Sequence, residues 1–138
     1  MEGRRPRVLL ADERESVLDA VRRLLTAEFD IVGVVRDGHA FVALTLLLDP
    51  DVVVVDIAMQ GCNGIEATRV LRSRGYTGRI VFLTLHQDPS LAETALSAGG
   101  SGYVLKARAS TELPVAIREA MADRLYVSPS IGEYIARG

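Results

Sequence analysis

The sequence predicts an α/β domain built on a parallel sheet, and three observations carry that prediction. Short apolar runs alternate with longer helix-period segments along most of the chain. One run, Val52-Val53-Val54-Val55, is four consecutive β-branched residues, which suits a strand covered on both faces. Five such β-α units fit into 138 residues, with no internal repeat and no low-complexity stretch.

Arg7-Val8-Leu9-Leu10-Ala11 is the first expected strand. Val17, Leu18, Val21, Leu24 and Leu25 follow at the spacing of one helix face. Ile31-Val32-Gly33-Val34-Val35 is the second strand. The helix after it carries Phe41, Leu44, Leu47 and Leu48 and stops at Asp49-Pro50, because proline cannot continue it. Val52 to Val55 is the third strand. The turn formers Gly61-Cys62-Asn63-Gly64 then lead into a helix from about Ile65 to Arg74. Arg79 to Leu83 makes the fourth strand, followed by a short helix from near Ser90 to Ala98 that ends at Gly99-Gly100. Tyr103-Val104-Leu105 is the fifth strand. Leu113, Ala116, Ile117, Ala120 and Met121 then mark the last helix. The simplest sheet of this make-up is the flavodoxin-like (βα)5 doubly wound one, strand order 2-1-3-4-5. Residues 126–138 fall outside the five units and read as a tail or the start of a linker.

Composition excludes several functions. With 49% hydrophobic and 25% charged residues, the chain has enough apolar surface to fold and too little polarity to stay disordered. Its apolar runs are far shorter than the roughly 20 residues of a membrane helix. The opening residues Met1-Glu2-Gly3-Arg4-Arg5-Pro6 are polar, so no secretory leader is expected, and a cytoplasmic location is. A net charge of −2 is a poor match to a nucleic-acid surface. One cysteine, Cys62, excludes an internal disulfide and a multi-cysteine metal site.

In open α/β sheets, ligands bind beyond the carboxyl ends of the strands, where the strand order reverses. The first strand is followed there by Asp12-Glu13, the third by Asp56, the fourth by Thr84 and the fifth by Lys106. Three carboxylates, a hydroxyl and an ammonium are therefore expected to converge. Crowded carboxylates repel one another unless a cation lies between them. An all-oxygen set suits Mg²⁺, whereas zinc would call for histidine or thiolate. The hydroxyl and the lysine suit a tetrahedral anion, and an aspartate among them can act as a nucleophile. This is the pattern of a Mg²⁺-assisted phosphoryl-transfer site on Asp56. Each residue taken singly also has a plainer reading: Asp12 as a helix cap, Glu13 as an acid facing a helix dipole, Thr84 and Lys106 as solvated surface. His39, His86 and Cys62 are isolated, and Arg4, Arg5 and Arg7 are expected to form a solvated terminus.

The segments Val8-Leu9-Leu10-Ala11-Asp12-Glu13, Val53 to Gly64, Phe82-Leu83-Thr84-Leu85-His86 and Gly102-Tyr103-Val104-Leu105-Lys106 together resemble the receiver domain of two-component response regulators. The resemblance covers about residues 6–125. Leu125-Tyr126-Val127-Ser128-Pro129 after Ala109-Ser110 looks most like the LuxR/NarL-type subfamily, whose receiver precedes a helix-turn-helix. It implies that Asp56 accepts a phosphoryl group from the phosphohistidine of a sensor histidine kinase. It implies Mg²⁺ held by Asp12, Glu13, Asp56 and the main-chain carbonyl of Ala58. Thr84 and Lys106 would contact the phosphoryl group, and Tyr103 would turn inward as the switch. The face of the fourth helix, fifth strand and fifth helix would then serve dimers or other partners. Such a protein is a signalling switch rather than a metabolic enzyme, with transcription as the expected output.

Three positions depart from the family pattern: Glu13 where aspartate is usual, Gln60 where proline is usual, and Leu85 where a small residue is usual. Glu13 is expected to weaken Mg²⁺ binding, since Mg²⁺ demands near-ideal octahedral geometry. Leu85 would narrow access to Asp56. These departures keep a second reading open, a degenerate receiver working through phosphorylation-independent protein contacts. A phosphatase with a second aspartate two residues after the nucleophile is disfavoured, because Ala58 occupies that position. A dinucleotide binder is disfavoured too, since Asp12-Glu13-Arg14-Glu15-Ser16 replaces the glycine-rich turn. The dozen residues after Tyr126 are too few for a DNA-binding domain. The chain is therefore expected to be either a stand-alone receiver or a fragment, and not to bind DNA itself.

Overall fold

A computed structural model describes residues 4–132 of the chain. Five strands and five helices alternate as expected: β1 (Arg7–Ala11), α1 (Glu15–Leu25), β2 (Asp30–Val35), α2 (Gly38–Leu48), β3 (Val52–Val55), α3 (Gly64–Ser73), β4 (Arg79–Thr84), α4 (Pro89–Ser97), β5 (Gly102–Leu105) and α5 (Ala109–Met121). A two-residue strand, β6 (Tyr126–Val127), follows. The sheet order is β2-β1-β3-β4-β5-β6 with every pairing parallel, so the expected 2-1-3-4-5 order stands and a sixth strand extends it.

The strand period of two sorts the core into two layers. Leu9, Val53, Val55, Ile80, Phe82 and Tyr103 face α2, α3 and α4, meeting Phe41, Leu71 and Ala95. Val8, Leu10, Val52, Val54, Val81 and Val104 face the other way, against Leu18 and Leu25 of α1 and Leu113 and Ile117 of α5. All four valines of β3 are buried, which is why that run carries no polar residue.

Local chemistry sets the helix ends. Asp37, Asn63 and Asp88 cap α2, α3 and α4 by accepting backbone N–H bonds with their side chains. Asp49 closes α2 in the left-handed conformation before Pro50, with φ 48°. Leu47 of that helix is 77% exposed, so it does not join Phe41 in the core.

Residues 126–132, expected as part of a tail or the start of a linker, are docked on the domain. Tyr126–Val127 pairs with Gly102 and Tyr103, residues 129–132 are helical, and Ile131 is only 2% exposed. The rest of the expected tail, 133–138, lies outside the described residues. The arginines near the start are solvated as expected at Arg4 and Arg5, and they also make hydrogen bonds back to the domain. Arg4 makes a two-pronged contact with Asp51, Arg5 donates to the carbonyls of Glu28 and Phe29, and Arg7 to those of Leu48 and Asp49. No helix among the described residues is long and apolar enough to cross a membrane.

Candidate functional site: a lysine-bridged aspartate pair at the strand ends

β1 and β3 are adjacent and parallel, so the residues after them emerge side by side. Asp12 is 3% exposed and Asp56 is 6% exposed. Two such carboxylates need compensation, because burying unpaired charge is costly. Lys106 supplies it from the end of β5: its Nζ lies 2.7 Å from Asp12 Oδ2 and 3.0 Å from Asp56 Oδ2. Burial alone would push the ammonium pKa down. Hydrogen bonds and charge from Asp12 and Asp56 outweigh that and hold it above the usual lysine value. The remaining oxygens are used locally, with Asp12 Oδ1 accepting from Arg14 N–H at 2.9 Å and Asp56 Oδ1 from Ala58 N–H at 3.4 Å. Asp12 thus serves the loop ahead of α1 and the carboxylate pair together.

Thr84 closes β4 and is fully buried. Its Oγ1 accepts from His86 N–H at 3.2 Å, which leaves the hydroxyl proton free to be donated elsewhere. Tyr103 is also fully buried, turned inward with its ring 6.4 Å from that of Phe82. Its hydroxyl donates to His86 O at 2.9 Å. Burial, then the charges of Asp88 and Asp56, push its pKa up to about 12. The main chain of His86 therefore joins Thr84 to Tyr103. Side-chain chemistry gives no sign of such a role, since any residue supplies the same N–H and C=O.

Glu13 departs from expectation. The predicted three-carboxylate cluster contains two, and no group of three acidic, histidine or cysteine side chains that could hold a metal is found among the described residues. The Arg36 guanidinium takes the Glu13 carbonyl through two hydrogen bonds, at 3.1 and 2.9 Å. Glu13 lines an outer cleft of about 440 Å³ with Arg14, Arg36, Asp37 and Gln60. Leu85 is 61% exposed, so its bulk stands largely in solvent. Cys62 is held as a thiol by burial and by Glu66, which raise its pKa.

Asp12 and Asp56 bring hard carboxylate oxygens together, with two negative charges sharing one positive charge. Such a donor set fits a divalent ion that keeps most of its waters.

A model of the response regulator receiver domain matches residues 8–118. The chain belongs to that family. The relatives of this receiver are LuxR/NarL-type response regulators. The nitrate/nitrite response regulator protein NarL of Escherichia coli is 31% identical over 131 residues, covering 94% of this chain and 61% of NarL. A two-component response regulator of the LuxR family from Aurantimonas sp. SI85-9A1 superposes with a TM-score of 0.92 at 35% identity, over 97% of each chain. A structure of two RcsB dimers bound to two parallel DNAs matches with a TM-score of 0.87 at 25% identity, covering 96% of this receiver and 69% of that chain. The receiver spans between about half and three-fifths of the length of the curated relatives it matches. Receiver domains of this family are signalling modules rather than metabolic enzymes, and they generally bind Mg²⁺.

Proposed function

We propose that this receiver is a phosphorylatable switch of a two-component system, accepting a phosphoryl group on Asp56 from the phosphohistidine of a sensor histidine kinase. The observation that carries the reading is Lys106 bridging Asp12 and Asp56 in a buried pocket. A carboxylate oxygen of Asp56 attacks phosphorus, the P–N bond breaks, and the electron pair leaves with the histidine nitrogen. Lys106 is then free to pair with the new phosphoryl oxygens as a point charge, and Thr84 donates its unused hydroxyl proton to one of them. Asp12, Asp56 and the Ala58 carbonyl would hold Mg²⁺, which supplies neutralisation of charge on the transferring group. Glu13, lying in the outer cleft, would act on it only through water. Tyr103, buried behind Thr84, is the conformational reporter. Output passes to a partner or a second copy of the chain and, where such a receiver is joined to a LuxR-type helix-turn-helix, to transcription.

Intact-protein mass after incubation with Mg²⁺ and a small phosphodonor tests the reading, with Asp56→Asn as control. One phosphate-mass gain, lost in the control, is expected. Glu13→Asp is expected to bind Mg²⁺ more tightly than the wild type, and equal affinities would overturn the cost assigned to Glu13. No gain in the wild type, with a gain restored by Glu13→Asp, would favour a receiver that works by constitutive contacts. The position of Glu13 outside the carboxylate pair is the observation behind that second reading.

A further inference from the structure

The segment after α5 has no part in the site, yet it is fastened to the strand that carries Tyr103 and leads into Lys106. Tyr126–Val127 pairs in parallel with Gly102 and Tyr103. A Cβ at Gly102 would sit 3.3 Å from Tyr126 O, so glycine there lets the two backbones approach. Ser128 is 1% exposed and fully engaged: its N–H donates to Tyr103 O at 2.9 Å, its Oγ accepts from Leu105 N–H at 3.1 Å, and its hydroxyl proton goes to Glu112 Oε1 at 2.6 Å. Ile131 is buried in the same apolar cluster as Tyr103, Phe82, Ala92, Ala95 and Leu105.

We infer that residues 126–132 are an intramolecular latch, docked on the edge of β5 and loosened when Lys106 leaves Asp12 and Asp56 for the phosphoryl group and shifts the end of that strand. The anchors of the segment lie on Gly102, Tyr103 and Leu105 of β5, the last next to Lys106, on Glu112 of α5, and on the apolar cluster that Ile131 shares with Phe82, Ala92 and Ala95. A close-packed cluster transmits displacement because its members cannot shift independently. The segment also covers the β5 edge, so a partner that uses this edge must first displace it. A simple cap on the sheet would hold the same residues in place without any link to the acidic pocket. The trigger rests on the phosphorylation proposed above, whereas the mechanical link does not.

Amide hydrogen exchange on the whole chain separates the two. The informative peptide is 84–88, which does not pair with the latch but receives the Tyr103 hydroxyl through His86. Ser128→Ala is expected to speed exchange at least tenfold over 126–132 and to speed it over 84–88, with 52–55 unchanged. Glu112→Ala removes the same hydroxyl acceptor without touching the core and should give the same pattern. Release of 126–132 with 84–88 unmoved in both variants would overturn the latch. With Mg²⁺ and beryllium fluoride, once loading at Asp56 is verified by fluorine NMR, exchange over 126–132 should rise at least threefold. Unchanged protection in a loaded sample would also overturn it. Failure to load at all would count against the phosphorylation reading, and the response of 84–88 in the variants would still decide the mechanical link.

Discussion

Lys106 holds the site together by charge, so its removal separates stability from chemistry. Taking away one partner of a buried ionic group leaves the others uncompensated, and Lys106→Met is expected to cost about 3 kcal/mol at neutral pH. Urea unfolding measures this. The pH dependence has a definite sign. The folded chain holds the lysine proton more tightly than the unfolded chain, so this share of stability is complete below pH 10.5, the ordinary lysine value, and is lost as pH rises through the raised folded value. The wild type should therefore converge on Lys106→Met in strongly alkaline buffer; a constant gap from pH 9 to 12 would contradict the assignment. Thr45 is the opposite case. Its Oγ1 is buried with no partner among the described residues, so Thr45→Val should stabilise the fold by about 1 kcal/mol in the same assay. Asp12, Asp56, Thr84 and Lys106 were legible because each ends or follows an apolar strand run. The two hydrogen bonds from Arg36 to the Glu13 carbonyl were not legible, because they join residues of different elements. His86 was passed over because only its main chain takes part.

Helices and strands were legible to within a residue or two wherever a cap or a proline marks the end. The helix expected from Ile65 to Arg74 spans Gly64–Ser73, with Asn63 as its cap. The strand β6 was missed because two residues carry no period to detect, and its pairing is with a strand two dozen positions earlier. Close backbone approach is another property hidden from pattern. A Cβ at Gly64 would lie 2.3 Å from Asp56 O and 3.1 Å from Ile57 Cα, and neither neighbour is a flexible side-chain tip. Alanine gains about 1 kcal/mol over glycine inside a helix, but a backbone clash of this kind outweighs it. Gly64→Ala is thus expected to lose about 2 kcal/mol net and to displace the Asp56 carbonyl. Unfolding and the rate of phosphate-mass gain should fall together. Preserved stability with normal phosphorylation would show that α3 shifts freely, against the contact described.

At the level of the whole molecule, doubly wound packing follows from strand runs that are apolar on both faces, and the expected order was the simplest one for five β-α units with helices on both faces. What covers the outer edge of the sheet was not legible. The two-residue strand β6 shields β5, whose four residues, Gly102 to Leu105, are all buried. A chain ended at Leu125, the boundary that the five β-α units point to, would leave unpaired backbone groups along β5, including the Tyr103 carbonyl and the Leu105 N–H that Ser128 satisfies. Unprotected edges of this kind template pairing between molecules. Such a shortened chain should raise light scattering within hours at concentrations where the full chain stays clear, and equal clarity would show that α4 and α5 shield the edge unaided. The last seven described residues are thus expected to keep this domain from pairing with its own copies for as long as they stay docked on β5.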